Sequence, residues 1–236
     1  MDIEQPPTHF HRALSVSAHP DDSEFFAGGT LARLAESGVD ITLVVCTDGS
    51  KGGRDIENII ETRSTEQDKA ARVLGINEVI KYGFGDGDLV PGTELRNRLI
   101  ETIRLVRPDV IFAHHPKTFY KQYGSNTQLG HSDHRAVGTA LLEAVYPRAG
   151  SPNFFPGLGG EPWSPREIWL YDCEDPDYLI DIGRSLDQKV EALNAHQSQH
   201  GTGGGLPEAA RRVGRYLGTE EQPAEAFVRL ILRRQK

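Results

Sequence analysis

Three side chains able to bind a metal or move a proton crowd into one tetrapeptide, His19-Pro20-Asp21-Asp22. A second group, His131-Ser132-Asp133-His134, lies over 100 residues further along the chain. Two His and one Asp, with a fourth position left to water, is the usual form of a catalytic zinc site. His19 and Asp22, three apart on a turn, can grip one ion, and His134 can supply the third ligand. Zinc lowers the pKa of its bound water from about 15.7 to roughly 7, so hydroxide is available at neutral pH. Asp21 then sits beside the metal as general base, His131 can protonate a leaving group, and Asp133 can orient His131. Taken singly, each motif is weak. Asp133, for example, can serve simply as the N-cap of a following helix.

The elements around the two clusters bring them together. Ala13–Ala18 is a short apolar run that reads as a buried first strand, and a helix follows over about 29–37, ending at Gly38. The β-branched run Val39–Cys46 reads as strand two. A helix over about 60–74, a strand at Glu78–Tyr82, a helix over about 93–106 and a strand at Pro108–Ala113 continue the alternation. This pattern predicts an α/β fold: a three-layer, Rossmann-like, doubly wound and mostly parallel sheet with helices on both faces. Its common strand order, 3-2-1-4-5, opens a crevice between the carboxyl ends of strands one and four. The His19 turn follows strand one and the His131 turn follows strand four, so the topology carries both to one crevice.

The rest of the chain is read as part of the same single domain over 1–236. Residues 1–12 read as a loose N-terminal arm. The segments 114–130, with Tyr120 and Tyr123, and 147–165, rich in proline and glycine, read as loops on the substrate side. Helices are expected at 134–146, 184–196 and 207–217, short strands at Glu167–Tyr171 and Tyr178–Ile182, and an apolar segment at 225–232. Composition suits a soluble globular protein: 236 residues, 37% hydrophobic and 25% charged. A net charge of −8 argues against nucleic acid and anionic membrane surfaces as partners. No apolar run approaches the roughly 18 residues of a membrane span, and the polar start lacks a signal pattern. Two cysteines, Cys46 and Cys173, make no disulfide framework, which fits a cytoplasmic setting.

With these residues in view, the chain resembles the PIG-L/LmbE-like family of zinc-dependent N-deacetylases. Ala18-His19-Pro20-Asp21-Asp22, with Gly28-Gly29-Thr30 after it, is similar to the first family motif. His131-Ser132-Asp133-His134 is similar to the second, where Ser132 replaces the usual Pro. Thr62-Arg63-Ser64-Thr65-Glu66, with Ala70-Ala71 and Leu74-Gly75, resembles the Arg-x-x-Glu helix. Lys189, Ala192-Leu193, His196 and Ser198-Gln199 resemble the C-terminal segment. Ser23 stands where many members have Glu, with Glu24 next. The resemblance implies one zinc per chain, or another divalent metal, on His19, Asp22 and His134. It implies Asp21 as base, and His131, steadied by Asp133, as donor to the tetrahedral intermediate or the amine. It puts Arg63 toward the substrate oxygens or the oxyanion, and Lys189 and His196 near the pocket. The expected substrate is a small N-acetylglucosamine-type sugar conjugate, and the family analogy admits a homo-oligomer, a trimer or hexamer.

Other positions have plain readings of equal standing at this level. Glu66, three after Arg63, can pair with its guanidinium. His114 and His115 close strand four, and Asp48 ends strand two, where turn capping competes with a pocket role. Among rival functions, a dinucleotide enzyme would need glycines where His19-Pro20-Asp21-Asp22 stands, and two carboxylates there would repel pyrophosphate. Two-metal phosphoesterases need more bridging carboxylates than can be assembled. The remaining alternatives are another single-metal amidohydrolase and a sugar-binding metal protein without turnover.

Overall fold

The computed structural model describes residues 1–53, 56–123, 125–200 and 205–233. Apolar, β-branched stretches form the central strands β2 (Arg12–Ser17), β3 (Asp40–Thr47) and β5 (Val110–His114). Strands β4 (Glu78–Phe84), β8 (Glu167–Tyr171), β9 (Tyr178–Asp181) and β10 (Ala224–Ile231) extend the sheet, and β1 (Ile3–Glu4) closes one edge. The order across the eight strands is β1-β9-β10-β8-β5-β2-β3-β4. Strands β4, β3, β2, β5 and β8 are mutually parallel, and β10 runs antiparallel to both β8 and β9. The five parallel strands therefore reproduce the expected 3-2-1-4-5 order, and the antiparallel strand makes the sheet mostly rather than wholly parallel.

Successive residues of a strand face opposite sides, and the two cores divide accordingly. Ala13, Ile41 and Leu43 pack with Leu31, Leu34, Leu74, Phe112 and Trp169 beneath the helices α1 (Asp22–Glu36), α2 (Ile59–Leu74) and α5 (Leu186–Asn194). Leu14, Val16 and Val44 pack with Leu99, Ile103, Val137 and Leu141 of α3 (Thr93–Val106) and α4 (Ser132–Glu143). Helix α6 (Gly205–Leu217) lies on α5 and β10. Both cysteines are free thiols.

Three expectations change. Residues 1–12 are not a loose arm: β1 pairs with β9, and Phe10 is buried in the core. Helix α1 begins at Asp22, well ahead of the expected start near 29. Segment 114–130 contains a hairpin, β6 (Tyr120–Tyr123) and β7 (Asn126–Leu129), that is separate from the main sheet.

The segment 147–165 is also corrected, in position. It lies at the amino ends of the strands, opposite the His19 turn. Buried Arg104 of α3 donates to the carbonyls of Arg148, Ala149, Ser151, Phe154, Phe155 and Leu158. The Trp163 indole donates to Pro108 O, just ahead of β5, and stacks near Arg12 at the start of β2. A proline- and glycine-rich stretch is thus held by the Arg104 guanidinium, by Trp163 and by the packing of Phe155 and Leu158 on the core.

Candidate metal and active site

Strand β2 ends at Ser17 and helix α1 starts at Asp22, so His19, Pro20 and Asp21 make a tight connection at the carboxyl edge. Asp21 takes the left-handed conformation, φ 98 and ψ −24. For a residue with a side chain this is costly and persists only where the surroundings over-determine it. Helix α2 supplies those surroundings. Arg63, buried, donates through Nη2 to Pro20 O at 2.7 Å and to Asp21 Oδ2 at 3.2 Å, and through Nη1 to Gly49 O at 2.9 Å. Gly49 and Gly52 lie so close to the guanidinium that a Cβ at either would collide with it.

Asp22 is the centre of the cluster. The His19 backbone N–H donates to Asp22 Oδ2 at 2.7 Å, and His19 Nδ1 lies 3.4 Å from the same oxygen. His134 Nε2 lies 3.3 Å from Asp22 Oδ1. Each ring's other nitrogen is held by carboxylates. His19 Nε2 is 3.2 Å from both Asp133 Oδ2 and Asp86 Oδ1, and His134 Nδ1 is 2.9 Å from Asp172 Oδ2. A carboxylate on the outer nitrogen fixes the tautomer and ring angle of a metal-binding imidazole and raises its basicity. Among the described residues, donor atoms gather within 4.8 Å in three sets: His19, His131 and His134; Asp22, His114 and His134; His19, Asp86 and Asp133. The three expected ligands occur across the first two sets, which share His134.

The electrostatics favour a cation here. Burial opposes charge on His19, yet hydrogen bonds to Asp133, Asp22 and Asp86 outweigh it and push its pKa up to about 12. Burial likewise opposes charge on His134, and Asp22 and Asp172 carry its pKa up to about 9. The field that loads protons onto these rings would hold a divalent ion among the same donors. The donor set therefore fits a metal ion. Asp21 is raised as well, which for a carboxylate favours the neutral form: burial and the Asp22 charge push it up to about 7, against the opposing pull of Arg63. Such a group can accept and return a proton near neutrality.

His131 sits as the N-cap of α4, its Nδ1 accepting the Asp133 N–H at 3.2 Å. Capping thus falls to His131 and not to Asp133. That contact leaves Nε2 as the free nitrogen, suited to donate a hydrogen bond. The Asp133 carboxylate does not orient His131 as expected. It accepts from Gly87 N at 2.8 Å and Leu89 N at 3.3 Å and reaches His19.

The motif residues of α2 and α5 are likewise placed differently from expectation. Arg63 does not face an open pocket, because its Nη atoms are engaged by the turn and the Gly49 loop. Glu66 does not pair with Arg63; its carboxylate takes the Ser198 N–H at 2.8 Å and hydroxyl at 2.6 Å. Lys189 is engaged in a buried ion pair with Glu225 at 2.6 Å, while Glu225 also accepts from Gly29 N and Thr30 N of α1. His196 is fully buried, its ring 3.8 Å from Glu24 Oε2, and neither ring nitrogen has a hydrogen-bond partner among the described residues. Burial and the Arg63 charge push its pKa down to about 3.

The positions left open now have contacts. Asp48 shapes its loop, accepting from Ser50 N and Asp86 N. His115 Nδ1 accepts from Lys117 N within its own turn. His114 is buried, with Nε2 3.1 Å from Asp22 Oδ2 and its ring stacked on His134 at 3.9 Å. Tyr120 is half exposed on the hairpin. The neighbouring Lys121 pairs with Asp172, the carboxylate behind His134. Asp86 and Asp172 were missed from sequence. Each follows a parallel strand, β4 or β8, at the carboxyl edge, and that position was the available signal.

These features are those of an α/β protein whose sheet carries, at its carboxyl edge, a His/Asp cluster able to hold a metal ion. Comparison with known proteins narrows this. The family described as PIG-L: GlcNAc-PI de-N-acetylase matches residues 14–145, and the chain belongs to that family. A diacetylchitobiose deacetylase of Thermococcus kodakarensis is 32% identical over 204 residues, covering 84% of this chain and 73% of that protein. The structure of the N,N′-diacetylchitobiose deacetylase from Pyrococcus horikoshii superposes with a TM-score of 0.84 at 28% identity, covering 98% of this chain and 87% of the other. A conserved protein of Thermus thermophilus, TT1542, superposes with a TM-score of 0.77 at 32% identity, covering 92% of this chain and 93% of the other.

Proposed function

We propose that this chain is a metal-dependent N-deacetylase that removes acetyl groups from N-acetylglucosamine-type sugar conjugates. The observation that carries the reading is the pairing of Asp22 with His19 Nδ1 and His134 Nε2, beside an Asp21 held in a left-handed turn. His19, Asp22 and His134 would hold one zinc or another divalent ion. When bound, that ion would acidify a water and polarise the acetamide carbonyl. Asp21 takes the proton from the attacking water. Having done so, the Asp21 carboxyl can return it to the departing nitrogen. His131 donates from Nε2 to the carbonyl oxygen as negative charge builds there, an interaction that strengthens in the transition state. Arg63 restrains the Asp21 carboxylate and turn. Asp133 and Asp172 keep His19 and His134 aimed inward. The products are acetate and a free amine.

Metal analysis of the purified protein, with acetate release from N,N′-diacetylchitobiose and other N-acetylglucosamine conjugates, tests this. We expect about one metal per chain and acetate release that chelation abolishes. A metal-loaded protein that releases no acetate from any such conjugate overturns it in favour of a binding protein.

A further inference from the structure

Gln67 lies one helical turn beyond Arg63 on α2, on the same face. None of the matching motifs includes it, yet it is 1% exposed and both ends of its amide are engaged under the Asp21 turn. Its Oε1 accepts the Asp21 backbone N–H at 3.2 Å, and its Nε2 donates to Glu24 Oε1 at 2.5 Å. The two contacts fix the amide's direction. Turning it over would set its NH2 against the Asp21 N–H and its oxygen against the Glu24 carboxylate. Glu24 belongs to the first turn of α1, three residues after Asp21, and Asp21 O in turn accepts from Phe25 N at 2.9 Å. The left-handed residue is therefore held on its N–H by Gln67, on its carbonyl by α1 and on its carboxylate by Arg63.

We propose that Gln67 is a positioning residue for the reaction, acting through Asp21 by keeping that residue in its left-handed conformation. The proposal rests on Asp21 being the proton acceptor. The two hydrogen bonds of Gln67 go to the Asp21 N–H and to Glu24 and to none of the ligand side chains, so its loss should alter the aim of Asp21 and leave the ligands in place. A carboxylate misaimed by about 1 Å costs up to 10²-fold in rate.

The test uses the full, metal-loaded chain with N,N′-diacetylchitobiose as the probe. Gln67→Met keeps the bulk and removes both hydrogen bonds. We expect kcat to fall about 10- to 100-fold, with KM and metal content within about twofold of the parent. In the Asp21→Asn background, Gln67→Met should add no further loss, because it acts through a group already removed. A crystal structure of the variant should show Asp21 out of the left-handed region. Gln67→Ala carries the same expectations if Gln67→Met does not fold. Unchanged kcat, an additive loss in the double variant, or an Asp21 φ that stays near +98 each overturns the positioning role. An active Asp21→Asn protein overturns the underlying reading instead, and the Gln67 role with it. The Asp21 conformation in the variant is informative even without turnover.

Discussion

The two edges of the sheet are both polar and both organised around a buried charge, yet they are built to opposite ends. At the amino edge, Arg104 spends its donors on six main-chain carbonyls and Trp163 caps Pro108 O. At the carboxyl edge, the outer nitrogens of His19 and His134 are paired with carboxylates, while their inner nitrogens turn toward Asp22. Saturated polar groups hold a fold together. Convergent groups with donor capacity left over hold a ligand. The difference separates structural from chemical polarity more sharply than residue type or burial does, since Arg63, Arg104 and Asp22 are all buried.

Substitutions at the two edges should therefore fail in different ways. The largest effect is expected from Asp21→Asn: metal retained and kcat lowered about 10²–10⁴-fold, as for loss of a general base. Near-normal turnover would break the comparison at its centre. His134→Ala should lose bound metal, read by elemental analysis, with the fold preserved by circular dichroism. Arg104→Met should do the reverse. It strands several buried carbonyls and should cost about 3 kcal/mol in urea unfolding while the remaining folded protein keeps its kcat. Lys189→Met, at the buried Glu225 pair, should cost about 3–5 kcal/mol by the same measurement, because one charge is left unpaired. The smallest effect is a pH slope. His196 has a folded pKa of about 3, below the ordinary 6.5, so the unfolded chain binds the extra proton between those values. Stability from this group is full above about pH 6.5 and falls as pH drops through the window. Unfolding at pH 7 and pH 5 should differ by about 1–2 kcal/mol less in His196→Leu than in the parent.

Much of the carboxyl edge is legible in sequence because the topology is. Strand-helix alternation fixes the 3-2-1-4-5 order, and that order delivers residues over 100 positions apart to one crevice. His19, Asp22 and His134 can therefore be named together from the sequence. What was not legible is direction. Nothing in Arg63-x-x-Glu66 reveals that the guanidinium turns to Pro20 O while the carboxylate turns to Ser198. Lys189 and His196 sit in recognisable motifs, but a motif does not separate a residue that touches substrate from one that supports the layer beneath. The edge that segment 147–165 follows is hidden for a related reason. Proline and glycine announce an irregular path, and the partners that set its edge, Arg104 and Pro108 O, lie far away in sequence.

The left-handed turn at Asp21 also bears on how this protein can change over generations. Glycine is the one residue for which that backbone conformation costs nothing. Asp21→Gly should be about 1 kcal/mol more stable than Asp21→Ala, though both lack the carboxylate. Among variants that have lost the carboxylate, sorting for heat resistance would thus favour glycine over alanine at this position.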